Sequence, residues 1–413
     1  MHPGSLSQIV ENGLCSGCGL CQGVAGNAKV RMVLTSGGWL RPFQRGQLPE
    51  PIRKRVLRVC PGSRIAALPI PRAGTSAKVD PVWGVYRRLA HGWASDSELR
   101  GLTSRGGILS ALAVLLLETG AVDCVLHVAP SRVRPLRTVS RCSRNRSEIL
   151  SGAQARYGPS APLSGLLQLL EAQQPFAFIG KPCDVGAVRN LSRIDPRVGR
   201  YCRYLLSFPC RGTPSLAPSS ALLADLHLDE SEVSAFRYVG DPESIGVRVQ
   251  TRDGRLIERR FQPDWLEAEA VGMQNRCRIC PDSVGLSADL VVGDLNSDGE
   301  GTGINWIMAR TLKGAALLES GVAASAVSLA GSVTIEELNR LHSYHFHQRR
   351  AAWARLLALR NGGRLVPAVS GLSLQQLARD NGLRSNLREA RQTLRRALDG
   401  YSTEPPVHPM DSL

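Results

Sequence analysis

Three cysteines at two successive two-residue gaps, Cys15-x2-Cys18-x2-Cys21, followed well downstream by Cys60-Pro61, constrain this chain more than any other feature. Three thiolates so spaced can wrap one corner of an iron–sulfide cube, and a distant cysteine before proline completes the four ligands. Ser16, Gly17 and Gly19 between them are small. They let the backbone approach the sulfurs and donate N–H groups, which favours the more negative, reduced form of a cluster. Zinc is the competing occupant, but structural zinc more often draws on two separated Cys-x2-Cys pairs than on one tight triplet. In a bacterial two-cluster ferredoxin the fourth cysteine follows closely and serves the other cluster. The long excursion to Cys60 instead suggests one cluster held by Cys15, Cys18, Cys21 and Cys60.

The chain has 11 cysteines, and no leader is legible in Met1 to Gln8, which lack the basic and apolar regions of a signal peptide. A cytoplasmic protein is therefore expected, in which thiols stay reduced and ligation is the better default than disulfides. Cys277-x2-Cys280 is a second chelating pair, which alone suits zinc as well as iron. Cys183 in Gly-Lys-Pro-Cys-Asp and Cys210 in Phe-Pro-Cys-Arg-Gly each follow a strand-like run, where α/β folds gather functional groups. Those four form the expected second 4Fe-4S set. Cys124 sits in an apolar run and reads as core; Cys142 and Cys202 lie among arginines and receive no role.

Apolar runs alternate with helical patterns from Trp83 to about Ala330, so the class is α/β, or α+β over the whole chain. Ile108 to Glu118 is expected to be helical. Val122 to Val128, Phe176 to Ile179 and Ala288 to Val292 read as strands. The expected organisation is a ferredoxin-like cluster segment at 1–70, a central α/β domain at 83–330, basic helices at 334–400 and a disordered tail at 401–413. No apolar run reaches the roughly 18 residues of a membrane span. The 51 basic against 35 acidic residues give a formal +16, which favours an acidic partner without choosing one.

Several motifs occur in one order: Thr103-Ser104-Arg105-Gly106-Gly107, Gln154-Ala155-Arg156-Tyr157, Gly180-Lys181-Pro182-Cys183, Phe208-Pro209-Cys210-Arg211-Gly212, then Arg276-Cys277-Arg278-Ile279-Cys280-Pro281-Asp282 with Ala288-Asp289 and Gly293-Asp294. In this the chain resembles the coenzyme F420 hydrogenase/dehydrogenase beta-subunit family over about residues 10–310. The resemblance implies bound FAD, one or two 4Fe-4S clusters and a central α/β domain. The family commonly has Ser-Gly-Gly at Arg105-Gly106-Gly107, Thr-Pro-Cys-Gln at Lys181-Pro182-Cys183-Asp184, and Ser-Lys-Tyr at Ala155-Arg156-Tyr157. These departures bear on flavin and substrate contacts, not on the cysteines.

No Gly-x-Gly-x-x-Gly fingerprint opens a strand–helix unit, so flavin contacts are expected from the resemblance at Thr103, Ser104, Arg105, Gly106, Gly107, Gly180, Lys181 and Pro182. Thr103–Gly107 precedes a helix and could present N–H groups to an anion, or serve as an ordinary cap. Lys181 could meet a flavin, a substrate carbonyl or simply a carboxylate. His91 and His127 read as packing residues, and Asp294 as a turn cap. His342, His345 and His347 read as surface residues rather than a metal site. No catalytic residue stands out.

The expected function is an FAD-dependent iron–sulfur oxidoreductase acting on a small-molecule substrate or a carrier of ferredoxin or deazaflavin type. An electron-transfer subunit of a larger complex, without its own substrate pocket, is the first alternative. Nucleic-acid binding is the second. Ser373 to Leu398 has a helix-turn-helix look with arginines that could meet phosphates, though a basic helix pair packed on the body is the plainer reading and aromatics for base stacking are scarce.

Overall fold

The computed structural model describes residues 1–71, 75–103, 106–153, 156–239, 246–260, 272–295 and 303–408. Its centre is an eight-stranded mixed sheet. In chain order the strands are β1 (Arg88–Ala94), β2 (Cys124–Pro130), β3 (Thr138–Ser143), β4 (Phe176–Gly180), β5 (Cys202–Ser207), β6 (Leu290–Asp294), β7 (Asn305–Ala309) and β8 (Val327–Gly331). Their spatial order is β8-β1-β7-β6-β5-β4-β2-β3. Four adjacent strands, β6, β5, β4 and β2, are mutually parallel, while β3 on one side and β7, β1 and β8 on the other join antiparallel. The protein is thus α/β with antiparallel margins.

Strand periodicity divides the core. Val125, Ala177, Leu206, Val292 and Ile307 face α1 (Ile108–Glu118) and the helix Leu312–Ala323, burying Ile108, Leu112, Leu317 and Leu318. Leu126, Phe178, Leu205, Val291 and Met308 face the other way, against Val185, Val188 and Leu191 of α2 (Pro182–Ser192). Successive strand residues point to opposite faces, so short apolar runs feed both layers. The strand ends fall one to two residues beyond those expected from sequence; α1 has the expected bounds.

The second layer also contains Ile9, Leu14 and Val59 from the first segment and Ala352, Leu356 and Ala397 from the last. All three stretches therefore share one apolar core. The C-terminal part forms α4 (Ser343–Asn361), α5 (Leu374–Asn381) and α6 (Leu383–Leu398), with α5 and α6 packed on α4 through Leu374, Leu377, Ala378 and Ala397. Residues 401–408 are seated rather than loose: the Glu404 carboxylate pairs with the Arg41 guanidinium, itself 1% exposed, and the Glu404 N–H donates to Glu11 O. A buried ion pair of distant residues leaves no local pattern, which is why the stretch looks like a tail in sequence. Among the described residues no helix is long and apolar enough to cross a membrane.

α4 is the least expected element. His345 is buried, as are Gln348 and Arg349, so the expectation of surface histidines fails there. The Arg349 guanidinium donates to the carbonyls of Val82, Pro281, Pro81 and Leu372. Burial lowers its pKa to about 10. Burial likewise holds His345 down to about 3, and His342 and His127 down to about 4. His127 bonds Ser143 Oγ at 2.7 Å, and His342 meets Trp306 Nε1 at 2.7 Å. His127 and His345 are thus core groups kept neutral.

These histidines make stability pH-dependent. Unfolded, each would titrate near 6.5, so below that the unfolded chain binds more protons than the folded one. Stability is expected to hold above about pH 6.5 and to fall steadily as pH drops toward about 4. Thermal melts of wild type and His127→Gln across that window check this: the variant's loss on acidification is the smaller.

Candidate functional site

The parallel strands build the site at their carboxyl ends, where α/β sheets place their ligands. β4 ends at Gly180 and leads through Lys181-Pro182 to Cys183; the neighbouring β5 ends at Ser207 and leads to Cys210. Ser207 pairs with Gly180, and its hydroxyl donates to Gly180 O at 2.9 Å, locking the two exits together. Pro182 occupies the first turn of α2, where its missing N–H costs nothing. Cys277 lies in the short helix α3 (Asn275–Arg278), and Cys280 follows it.

One cavity collects all four. It has about 400 Å³ of empty space including its mouth, and its wall includes Cys183, Cys210, Cys277 and Cys280. Ser16, which lies between Cys15 and Cys18, and Arg276, Tyr344 and Gln348 also line it. Gly212, at φ +138, lets the chain pass: a Cβ there would meet Met273 Sδ at 2.3 Å and Cys277 Cβ at 3.2 Å. Two groups donate to Cys277 Sγ, the Thr213 N–H at 3.3 Å and Gln274 Nε2 at 3.2 Å. The Asp282 carboxylate accepts from the N–H groups of Val284, Gly285 and Leu286, fixing the turn after Cys280. From α4, Gln348 Nε2 donates to the carbonyls of Cys277, Arg278 and Cys280.

The first set is gathered beside the second. Cys15, Cys18 and Cys21 are buried, and Cys60 caps the helix Glu50–Val59. Gly17 and Gly19 hold left-handed φ of +78 and +82, and the Gly17 N–H reaches Cys15 Sγ at 3.4 Å. Cys60 lies within electrostatic reach of Cys15, Cys18 and Cys21. The two sets meet through shared neighbours. Arg41 interacts with Cys15 and Cys277, and Asp184 with Cys18 and Cys183.

Burial pushes the Cys18, Cys21 and Cys183 thiols well up, and those of Cys60 and Cys210 up to about 12. Uncoordinated, these groups are neutral and poor nucleophiles, and only a metal would deprotonate them outright. Yet Arg276, 2% exposed, points its charge among them. Its Nε has no hydrogen-bond partner, and its Nη2 reaches Pro61 O at 3.5 Å. Burying a cation without counter-charge costs several kcal/mol. Thiolates on anionic clusters would supply that charge, so these residues fit two iron–sulfur clusters. Among the described residues no three His, Cys, Asp or Glu side chains close around a single ion point.

The residues expected to hold flavin lie in two places, those described from Thr103–Gly107 just before α1 and Gly180–Pro182 at the cavity itself. Thr103 Oγ1 donates to Leu99 O within its own helix. Gly106 and Gly107 have φ of +74 and +72, and a Cβ on Gly106 would meet Asn305 Oδ1 at 2.5 Å. Asn305 Oδ1 also accepts the Ile108 N–H, capping α1. Ser104, Arg105, Gln154 and Ala155 lie outside the described residues. Lys181 sits 3.0 Å from the Asp184 carboxylate and 2.7 Å from Ser160 Oγ, beside the second cysteine set. Of the uses open to it in sequence, it meets a carboxylate. Cys124 and Cys142 neighbour each other on β2 and β3, apart from both sets. Sequence reasoning missed Arg41, Gln274, Arg276, Tyr344 and Gln348. Only Arg276 carried a local signal, its place beside Cys277.

Comparison with known proteins agrees with this architecture. The family model for the C terminus of the coenzyme F420 hydrogenase/dehydrogenase beta subunit matches residues 174–333, and that for its N-terminal part matches residues 89–168. A coenzyme F420-dependent sulfite reductase of Methanocaldococcus jannaschii is 25% identical over 83% of this chain and 50% of its own length. A coenzyme F420 hydrogenase subunit beta of Methanosarcina barkeri is 26% identical over 53% of this chain and 74% of its own. The chain thus spans about half the length of the sulfite reductase. In fold, it is similar to a chain of the F420-reducing NiFe hydrogenase complex of Methanosarcina barkeri, with a TM-score of 0.56, 20% identity, and coverage of 70% of this chain and 98% of that one. Together the two family models cover more than half of the sequence, and the chain belongs to the coenzyme F420 hydrogenase/dehydrogenase beta-subunit family.

Proposed function

We propose that this chain is an electron-transferring iron–sulfur flavoprotein. Cys15, Cys18, Cys21 and Cys60 hold one 4Fe-4S cluster, and Cys183, Cys210, Cys277 and Cys280 hold another. The supporting observation is the gathering of eight cysteines in two adjoining sets, with buried Arg276 acting on Cys183, Cys277 and Cys280 of one and on Cys15 and Cys60 of the other. When bound, clusters supply one-electron transfer and FAD supplies exchange between one- and two-electron carriers. FAD is proposed on family resemblance, since the described residues of Thr103–Gly107 are engaged in packing and capping.

The chain's own residues do the positioning. Gln348 and Asp282 fix the Cys277–Cys280 turn, Gln274 and Thr213 polarise the Cys277 sulfur, and the apolar core excludes water from Cys15 and Cys18. The carrier is a deazaflavin coenzyme or an acidic protein of ferredoxin type, because the relatives are F420-dependent proteins and this chain is strongly basic. One of those relatives, the coenzyme F420 hydrogenase subunit beta, is named as a subunit, which supports action within a complex with a partner subunit.

Anaerobic stopped-flow absorbance of the purified chain, mixed with reduced F420 or with reduced ferredoxin, tests this. Bleaching of flavin and cluster bands by either donor is expected. A chain that contains both cofactors yet accepts electrons from neither donor contradicts the carrier assignment.

A further inference from the structure

We propose that Arg276 is a shared counter-ion that sets the reduction potentials of both clusters together. This rests on the two-cluster reading above. The guanidinium is 2% exposed, on a residue that lines the second-set cavity, while its Nη2 reaches the carbonyl of Pro61, the residue after Cys60. Its charge acts on Cys280, Cys183 and Cys277 of one set and on Cys15 and Cys60 of the other. No carboxylate is among the groups that bear on it most.

The other buried cations nearby are differently supplied. Arg41 has Glu404, and Lys181 has Asp184. Each is largely neutralised by its own anion, so its effect on the sulfurs is that of a pair. Among the described residues Arg276 forms no ion pair with a carboxylate, and the charges that bear on it most are those of the sulfurs. Adding an electron to a cluster adds one negative charge, and a cation held close in a low-dielectric interior stabilises that charge strongly. Because one cation faces both sets, it favours reduction of both and offsets the repulsion between them when both are reduced.

The test is an EPR-monitored redox titration of the full chain, prepared anaerobically, as wild type, Arg276→Met and Arg276→Lys. In Arg276→Met both midpoints are expected to fall, each by at least tenfold in the reduction equilibrium, which is 59 mV for a one-electron couple. Arg276→Lys keeps the charge and is expected to recover most of the shift. Arg276→Gln, closer in polarity, is titrated alongside in case the methionine variant assembles poorly. Unmoved midpoints, or movement at one cluster only, overturn the inference.

A second readout separates the counter-ion role from simple packing. In the metal-free chain Arg276 is an uncompensated buried charge, so metal-free Arg276→Met is expected to melt at higher temperature than metal-free wild type. A residue needed only for packing gives the opposite sign. If wild type itself assembles without two clusters, the two-cluster reading fails and this inference with it. If wild type carries both and the variants keep their midpoints, this inference alone fails.

Discussion

Cys277→Ser is expected to remove one cluster and leave the other, so that iron falls from about eight to about four atoms per chain and the cluster absorbance falls by about half. Cys18→Ser is expected to do the same at the first set, and the double variant to keep only a flavin spectrum. Serine matches cysteine closely in size but does not replace the soft thiolate that iron prefers. The two losses are expected to be separable because each set has its own fixing bonds. Thr213, Gln274 and Gln348 hold the second, whereas Gly17, Gly19 and the buried stretch around Leu14 and Leu20 hold the first. Iron and sulfide assays with absorbance spectra check this. Two single variants with unchanged spectra would remove the basis for ligation.

Asp282→Ala carries the largest expected stability loss outside the cysteines. The carboxylate is 6% exposed and accepts from Val284 N at 3.2 Å, Gly285 N at 2.9 Å and Leu286 N at 3.1 Å. Removing it leaves three buried N–H groups without acceptors, each costing about 1–3 kcal/mol if no water replaces it. A net loss of about 3–5 kcal/mol is expected, together with weakened retention of the second cluster, because this turn carries Cys280. Asp282→Asn keeps one acceptor oxygen and is expected to lose markedly less. Denaturant melts of the three proteins measure the first effect, and iron content after gel filtration the second. Equal stability of wild type and Asp282→Ala would show that the turn holds itself.

How much of this was legible in sequence differs by physical cause. Cys15, Cys18 and Cys21 are read from spacing because their geometry is local. Cys183 and Cys210 are read because apolar runs precede them, and those runs are β4 and β5. What joined the four cysteines of the second set in sequence was their places at element ends and their number, two completing a tetrad with the Cys277–Cys280 pair, and it is the sheet register, Ser207 opposite Gly180, that brings Cys183 and Cys210 side by side. Arg276 was visible in sequence only as a neighbour of Cys277. That the sulfurs of both sets are the main charges around it is a property of three-dimensional packing alone.

α4 misleads for a related reason. Its buried face carries His345, Gln348 and Arg349, polar side chains of which Gln348 and Arg349 hold main-chain carbonyls of the cysteine-bearing loop. A hydropathy pattern scores such a face as exposed. Gly106 and Gly107 were read with two uses open, an anion site or an ordinary cap. Their left-handed turn and the following helix are as expected, and Gly106 lies against Asn305 from β7, whose Oδ1 caps α1. Strand pairing brought Asn305 there, and no local motif announced it.

The decisive measurement is iron, acid-labile sulfide and zinc determined together on anaerobically purified full-length chain. Eight cysteine sulfurs in two sets predict about eight iron and about eight sulfide per chain, with zinc near zero. Stoichiometric zinc without labile sulfide would contradict the account at its root.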